Sequence, residues 1–116
     1  MKENKLLKLS QDFAISIIKV SDSIKAIGHR SIANQLLRSG TSISANIAEG
    51  NHPQSRSDMV SKFEIALKEA NETENWLTIC NETQLLDDEK YTTLHKQVIK
   101  IKILLISSIK TLKNLS

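Results

Sequence analysis

The stretch Val98-Ile-Lys-Ile-Lys-Ile-Leu-Leu-Ile-Ser-Ser-Ile109 is the most hydrophobic in the chain, and its reading decides the fold. A membrane-spanning helix needs about 20 apolar residues. This run is shorter and carries Lys100 and Lys102. Extended to residues 88–114, the segment stacks Tyr91, Leu94, Val98, Ile101, Leu105, Ile109 and Leu112 at intervals of three and four. That spacing brings them onto one face of an amphipathic helix. The stretch is therefore read as the core seam of a long helix in a protein that stays in water.

The same period recurs upstream. Residues 3–27 stack Leu6, Leu9, Phe13, Ile17, Val20, Ile24 and Ile27, residues 31–49 stack Leu36, Gly40, Ile43 and Ile47, and residues 56–84 stack Met59, Phe63, Ala66, Ala70, Leu77 and Cys80. Punctuation separates the segments: Gly28, then Gly50-Asn51-His52-Pro53, then Leu86-Asp87-Asp88. Glycine relieves left-handed strain past a helix end, and proline cannot continue a helix. Ser55 with Asp58 resembles a capping box, and Asp87, Asp88 and Glu89 sit where a helix N-terminus favours acids. Four helices with short connections predict an all-α, antiparallel up-down four-helix bundle, one domain over residues 1–116.

Composition agrees. The chain has 116 residues, with Ile and Leu making up a quarter of it against three Gly and one Pro, which excludes a turn-rich β fold. Gly40, Ala66 and Ala70 stand where large seam residues would be expected, so the middle helices should approach closely. The single cysteine, Cys80, allows neither an internal disulfide nor a cysteine-cluster zinc site. Nothing near the N-terminus has the apolar core of a signal peptide. The expected location is cytoplasmic.

Two helices carry more apolar surface than one bundle needs. Ile99, Ile103 and Ile106 lie roughly 130° around from the fourth seam, and Leu7, Ala14 and Ile18 about 110° from the first. Exposed apolar surface of this kind marks interfaces. Leu7, Ile18, Ile99, Ile103 and Ile106 are therefore the expected contacts of a homo-oligomer.

Polar residues group beside the seams. Arg38, Ser42, Asn46 and Glu49 share an arc of about 80° on the second helix, and Glu69, Glu72 and Trp76 share about 60° on the third. An arginine facing two glutamates would satisfy charges that are costly to bury unpaired, so a buried structural network is expected. A small polar ligand is the alternative use. A di-iron centre needs Glu-x-x-His on two helices, and no histidine follows Glu69 or Glu72 by three. His29 and His52 fall in connections and His95 stands alone, each expected at the surface. No metal or other cofactor is expected. With no nucleophile elbow and no glycine-rich phosphate loop, catalytic residues are not expected either.

Charge is uneven. Residues 54–86 carry three positive and six negative side chains, whereas residues 1–30 and 87–116 each carry six positive and three negative. Lys96, Lys100 and Lys110 share one face of the fourth helix, a candidate contact for nucleic-acid phosphates. Only four aromatic residues exist, too few for base-stacking platforms. A helix-turn-helix reader over 31–70 fails because its second helix would be long and acidic.

Ser39-Gly-Thr-Ser-Ile-Ser-Ala-Asn-Ile-Ala-Glu-Gly50 closely resembles the signature of the bacterial four-helix bundle proteins named for the 23S rRNA intervening sequence. Gln35-Leu-Leu-Arg38, Ile65-Ala-Leu-Lys-Glu-Ala-Asn-Glu-Thr-Glu-Asn-Trp-Leu77 and Ile106-Ser-Ser-Ile-Lys-Thr-Leu-Lys113 match as well. The resemblance implies an antiparallel bundle, with ring-shaped homopentamers among the family's members and no established catalytic residue. A related branch is the accessory protein of diversity-generating retroelements, a strongly basic pentamer. This chain, at +3 overall with an acidic third helix, departs from that character. The expectation is a non-enzymatic homo-oligomeric scaffold, a pentamer by resemblance, associated with RNA or nucleoprotein. The rival is a protein-binding adaptor that ignores nucleic acid.

Overall fold

The computed structural model describes residues 2–115. Four α-helices follow one another: α1 Lys2–Ala26, α2 Arg30–Gly50, α3 Arg56–Glu82 and α4 Asp88–Asn114. No β-strand occurs among the described residues. Each helix packs on its neighbours in chain order and α4 closes back on α1, while among the described residues the backbones of the diagonal pairs stay apart. The result is an up-down bundle with a long axis of 48 Å.

Local chemistry sets the ends. Gly28 adopts φ of 100° just beyond α1, and its N–H donates to the Lys25 carbonyl at 3.0 Å. Ser55 Oγ accepts from Asp58 N at 3.0 Å, while the Asp58 carboxylate accepts from Gln54 N at 3.1 Å. Asp87 accepts from Lys90 N at 2.8 Å. Ser55 and Asp87 each satisfy an amide that the first turn leaves without a helical partner, and Gly28 satisfies a carbonyl of the last turn of α1.

The core follows the seams: Leu6, Phe13, Ile17, Leu36, Ile43, Ile47, Phe63, Leu77, Val98, Ile101 and Leu105 are all essentially inaccessible. A Cβ on Gly40 would lie 2.7 Å from Ile17 Cγ2, and one on Gly50 would lie 2.6 Å from the Phe63 ring. Those glycines let α2 press against α1 and α3. Gly50 is thus the last buried residue of α2 as well as part of the break after it.

Three details depart from expectation. Ile27 lies beyond the end of α1 and is 64% exposed, so it is not a seam residue. Ala14 is buried rather than part of an outer stripe. The third helix ends at Glu82 instead of residue 84, because Gln84 turns left-handed at φ 63°. Leu85 and Leu86 then both donate to the Cys80 carbonyl, which folds Leu86 into the core. Hydrophobic burial of that leucine stabilises the turn that periodicity reads only as a break.

Candidate functional site

The α2–α3 seam brings Arg38 against Glu69 and Glu72. Arg38 Nη1 donates to both Glu69 oxygens, at 3.0 and 3.3 Å, and Nη2 donates to Glu72 Oε1. Trp76 Nε1 donates to the same Glu72 oxygen at 3.4 Å. The Arg38 bond pulls the Glu72 carboxyl below the usual carboxylate range, and the two glutamates raise the Arg38 guanidinium further.

The cluster differs from the buried network expected from sequence. The Arg38 side chain is 51% exposed, whereas Glu69 retains only 11%. Ser42 donates to the Arg38 carbonyl and Asn46 to the Ser42 carbonyl, so both turn back on their own helix. Glu49 pairs with Lys62 at 3.0 Å, some three turns from Arg38. A shared arc on one helix does not choose a partner; the facing residue of α3 does. What is buried between the two helices is a hydroxyl pair that sequence reading missed: Ser39 and Thr73 share a hydrogen bond of 2.9 Å. Thr73 also donates to the Glu69 carbonyl, which holds the rotamer beneath Arg38. Its placement between Ala70 and Leu77, in register with the seam, was the available signal.

A second polar cluster joins α3 to α4. Glu74 accepts from Lys102 Nζ at 2.6 Å and lies 3.1 Å from His95 Nε2. The His95 ring stacks on Tyr91 at 5.3 Å between centroids. His95 is therefore a half-buried partner of Glu74, not an isolated surface histidine. Lys102 lowers the Glu74 carboxyl against the opposing effect of burial. Burial likewise raises the Cys80 thiol, which suits packing rather than nucleophilic attack. Among the described residues, no group of His, Cys, Asp and Glu could hold a metal ion.

The outer surface carries the remaining candidates. Lys96, Lys100 and Lys110 are exposed, with no carboxylate within 4 Å among the described residues. By contrast, most acids of α3 are engaged: Glu64 by Lys113, Glu69 and Glu72 by Arg38, Glu74 by Lys102. The acidic helix is neutralised from within the bundle, and unpaired positive charge remains on α4.

Ile103 is 61% exposed and Ile106 50%, with Ile99 half-buried beside them. On α1, Ile15 and Ile18 are exposed and Leu7 is half-buried. At 100° per residue, Ile99 and Ile106 lie within about 40° of His95, on the α3 side of α4. Ile18 lies roughly 160° around α1 from Val20 and Ser16, which face α4 across a groove. The two apolar patches thus occupy opposite flanks of the bundle.

Comparison with known proteins adds two findings. The family model described as 23S rRNA-intervening sequence protein matches residues 2–107. A crystal structure of a protein of unknown function, from the S23 ribosomal protein family of Bacteroides thetaiotaomicron VPI-5482, superimposes with a TM-score of 0.91 at 41% identity. That match covers 95% of this chain and 99% of the other. No curated protein sequence matches. Among the described residues, no helix is long and apolar enough to cross a membrane.

Proposed function

Because the chain belongs to the 23S rRNA-intervening sequence protein family, we propose that it is a non-catalytic, cytoplasmic scaffold that assembles with copies of itself and carries RNA or nucleoprotein. The observation that supports assembly is the pair of exposed apolar patches, Ile99/Ile103/Ile106 on α4 and Leu7/Ile15/Ile18 on α1. A two-fold contact would use one self-complementary patch. Two unlike patches on opposite flanks instead suit head-to-tail contact, which closes into a ring when the rotation allows. The number five follows from the homopentamers of the family that the sequence resembles.

RNA association draws on the unpaired lysines of α4. Three lysines meeting single-strand phosphates would give a log–log salt slope of about −2 per engaged subunit. Catalysis has no support in the side-chain arrangement: Cys80 is buried, and the Arg38–Glu69–Glu72 cluster is internally satisfied.

Native mass spectrometry of the untagged protein purified at low salt tests this reading. Five subunits with RNA is the expected result. Five bare subunits would keep the scaffold and redirect the search to protein partners. A monomer of 13.0 kDa would overturn the assembly. Ile103→Glu with Ile106→Glu should shift the mass to the monomer while leaving helicity intact.

A further inference from the structure

His95 stands at the edge of the apolar patch on α4. Its ring lines an open depression with Ile99, Ile103 and Leu104, bordered by Lys96 and Lys100. The side chain is 35% exposed, so a surface that covers the two isoleucines covers the ring as well. Histidine is the side chain whose charge ordinarily changes between about pH 5 and 8. An apolar contact edged by such a group responds to protons.

The neighbours of the ring decide the direction of that response. Nε2 lies 3.1 Å from one Glu74 oxygen, and the other accepts from Lys102 Nζ at 2.6 Å. Glu74 is the titratable group that meets the ring from α3. From α4, Tyr91 stacks on it, with its hydroxyl 3.3 Å from that of Thr78. With the imidazole neutral, Nε2–H donates to Glu74, and the charges of Glu74 and Lys102 cancel. Lys102 holds the Glu74 carboxyl below the usual carboxylate range, so it stays ionised in mild acid. A second proton on the ring therefore adds one uncompensated positive charge beside Lys96 and Lys100. It also turns Nδ1, which has no partner among the described residues, into a donor. Water accepts from that donor on a free surface; an isoleucine contact cannot. Burying the charged ring there is costly.

The apolar patch of α1 brings nothing to offset that charge. Exposed Asp22 and Lys25 lie within about 40° of Ile18, one of each sign. Lys19 is exposed within about 40° of Ile15, and Lys8 is paired with Asp12 at 3.0 Å. Resting on the self-assembly proposed above, we infer that His95 is a proton switch on the contact between copies. Neutral, it lets the α4 patch close on the α1 patch of the next copy. Protonated, it keeps the α4 patch in water and the copies apart.

Sedimentation velocity of the full-length protein at about pH 8 and about pH 5.5 tests the switch, with circular dichroism confirming equal helicity at both. Assembly should weaken in acid by about tenfold or more, the effect of one uncompensated charge in a contact. His95→Gln stays neutral and can still donate to Glu74, so its assembly should be equal at both values. His95→Arg carries a permanent charge and should be dispersed even at about pH 8. His29→Gln with His52→Gln, both exposed in the connections, should keep the full response. Assembly that ignores pH, or tightens in acid, would overturn the switch and leave the scaffold standing. A response that persists in His95→Gln would do the same. Absence of assembly at both values would overturn the switch together with the assembly clause of the proposed function.

Discussion

The α2–α3 side of the bundle and the α1–α4 side are built on opposite terms. Between α2 and α3, small residues at Gly50, Ala66 and Ala70 let the helices close up, and Phe63 fills the space that Gly50 leaves. Ser39 meets Thr73 in the core, and Arg38 binds two glutamates above them. Between α1 and α4 the packing opens into a groove, Gln97 Oε1 has no hydrogen-bond partner among the described residues, and Lys19, Lys90, Lys96 and Lys100 make no ion pair there. The sequence motif that marks the family sits on the tight side. The contrast teaches that a recognisable motif can record packing while the free chemistry sits across the molecule.

The largest effect should come from the core of the tight side. Phe63→Ala is expected to cost about 4 kcal/mol, the range for emptying a buried aromatic site. Leu9→Ala, half-buried on the groove, should cost about 1 kcal/mol because its surroundings are already open. Urea denaturation of both variants measures the difference. Similar values would erase the distinction between the two sides.

Next is Gly40→Ala. Alanine normally gains about 1 kcal/mol over glycine inside a helix. Here the new Cβ would meet Ile17 Cγ2 at 2.7 Å, so a net loss of about 1–2 kcal/mol is expected. The loss should shrink in an Ile17→Ala background, and simple additivity would argue against the close approach.

Arg38→Ala should follow, at about 1 kcal/mol. The half-exposed guanidinium is screened by water, which discounts the pairing, although Glu69 would be left nearly buried. Its pH dependence is set by Glu72. A carboxyl whose folded pKa lies below its unfolded value stabilises the fold above the unfolded value, about 4.3. That contribution fades as pH falls through the lower folded value. The gap between wild type and Arg38→Ala should thus be full at neutral pH and narrow in acid. A gap constant down to strongly acidic pH would place the stabilisation elsewhere.

Smallest of all should be Lys100→Ala, within about 0.5 kcal/mol by thermal melting, since the exposed lysine makes no ion pair among the described residues. A larger loss would show that the lysines of α4 serve stability, and would weaken the case for a ligand there.

Four helices, their seams and their caps were legible in sequence because helical period and end chemistry are local. Leu6 to Ile24 and Tyr91 to Leu112 repeat at a spacing that only one backbone geometry turns into a single face. The pairing of Arg38 with Glu69 and Glu72 was legible as composition on facing helices. Its exposure was not, nor the exclusion of Ser42, Asn46 and Glu49. Those depend on which residues of α3 lie opposite, a distance across space that no spacing within α2 encodes. His95 finding Glu74 and Leu86 folding into the core have the same origin. Tertiary structure alone decided that α1 and α4 meet loosely, and it did so for a physical reason: the close approaches allowed by glycine were spent on the two sides of α2.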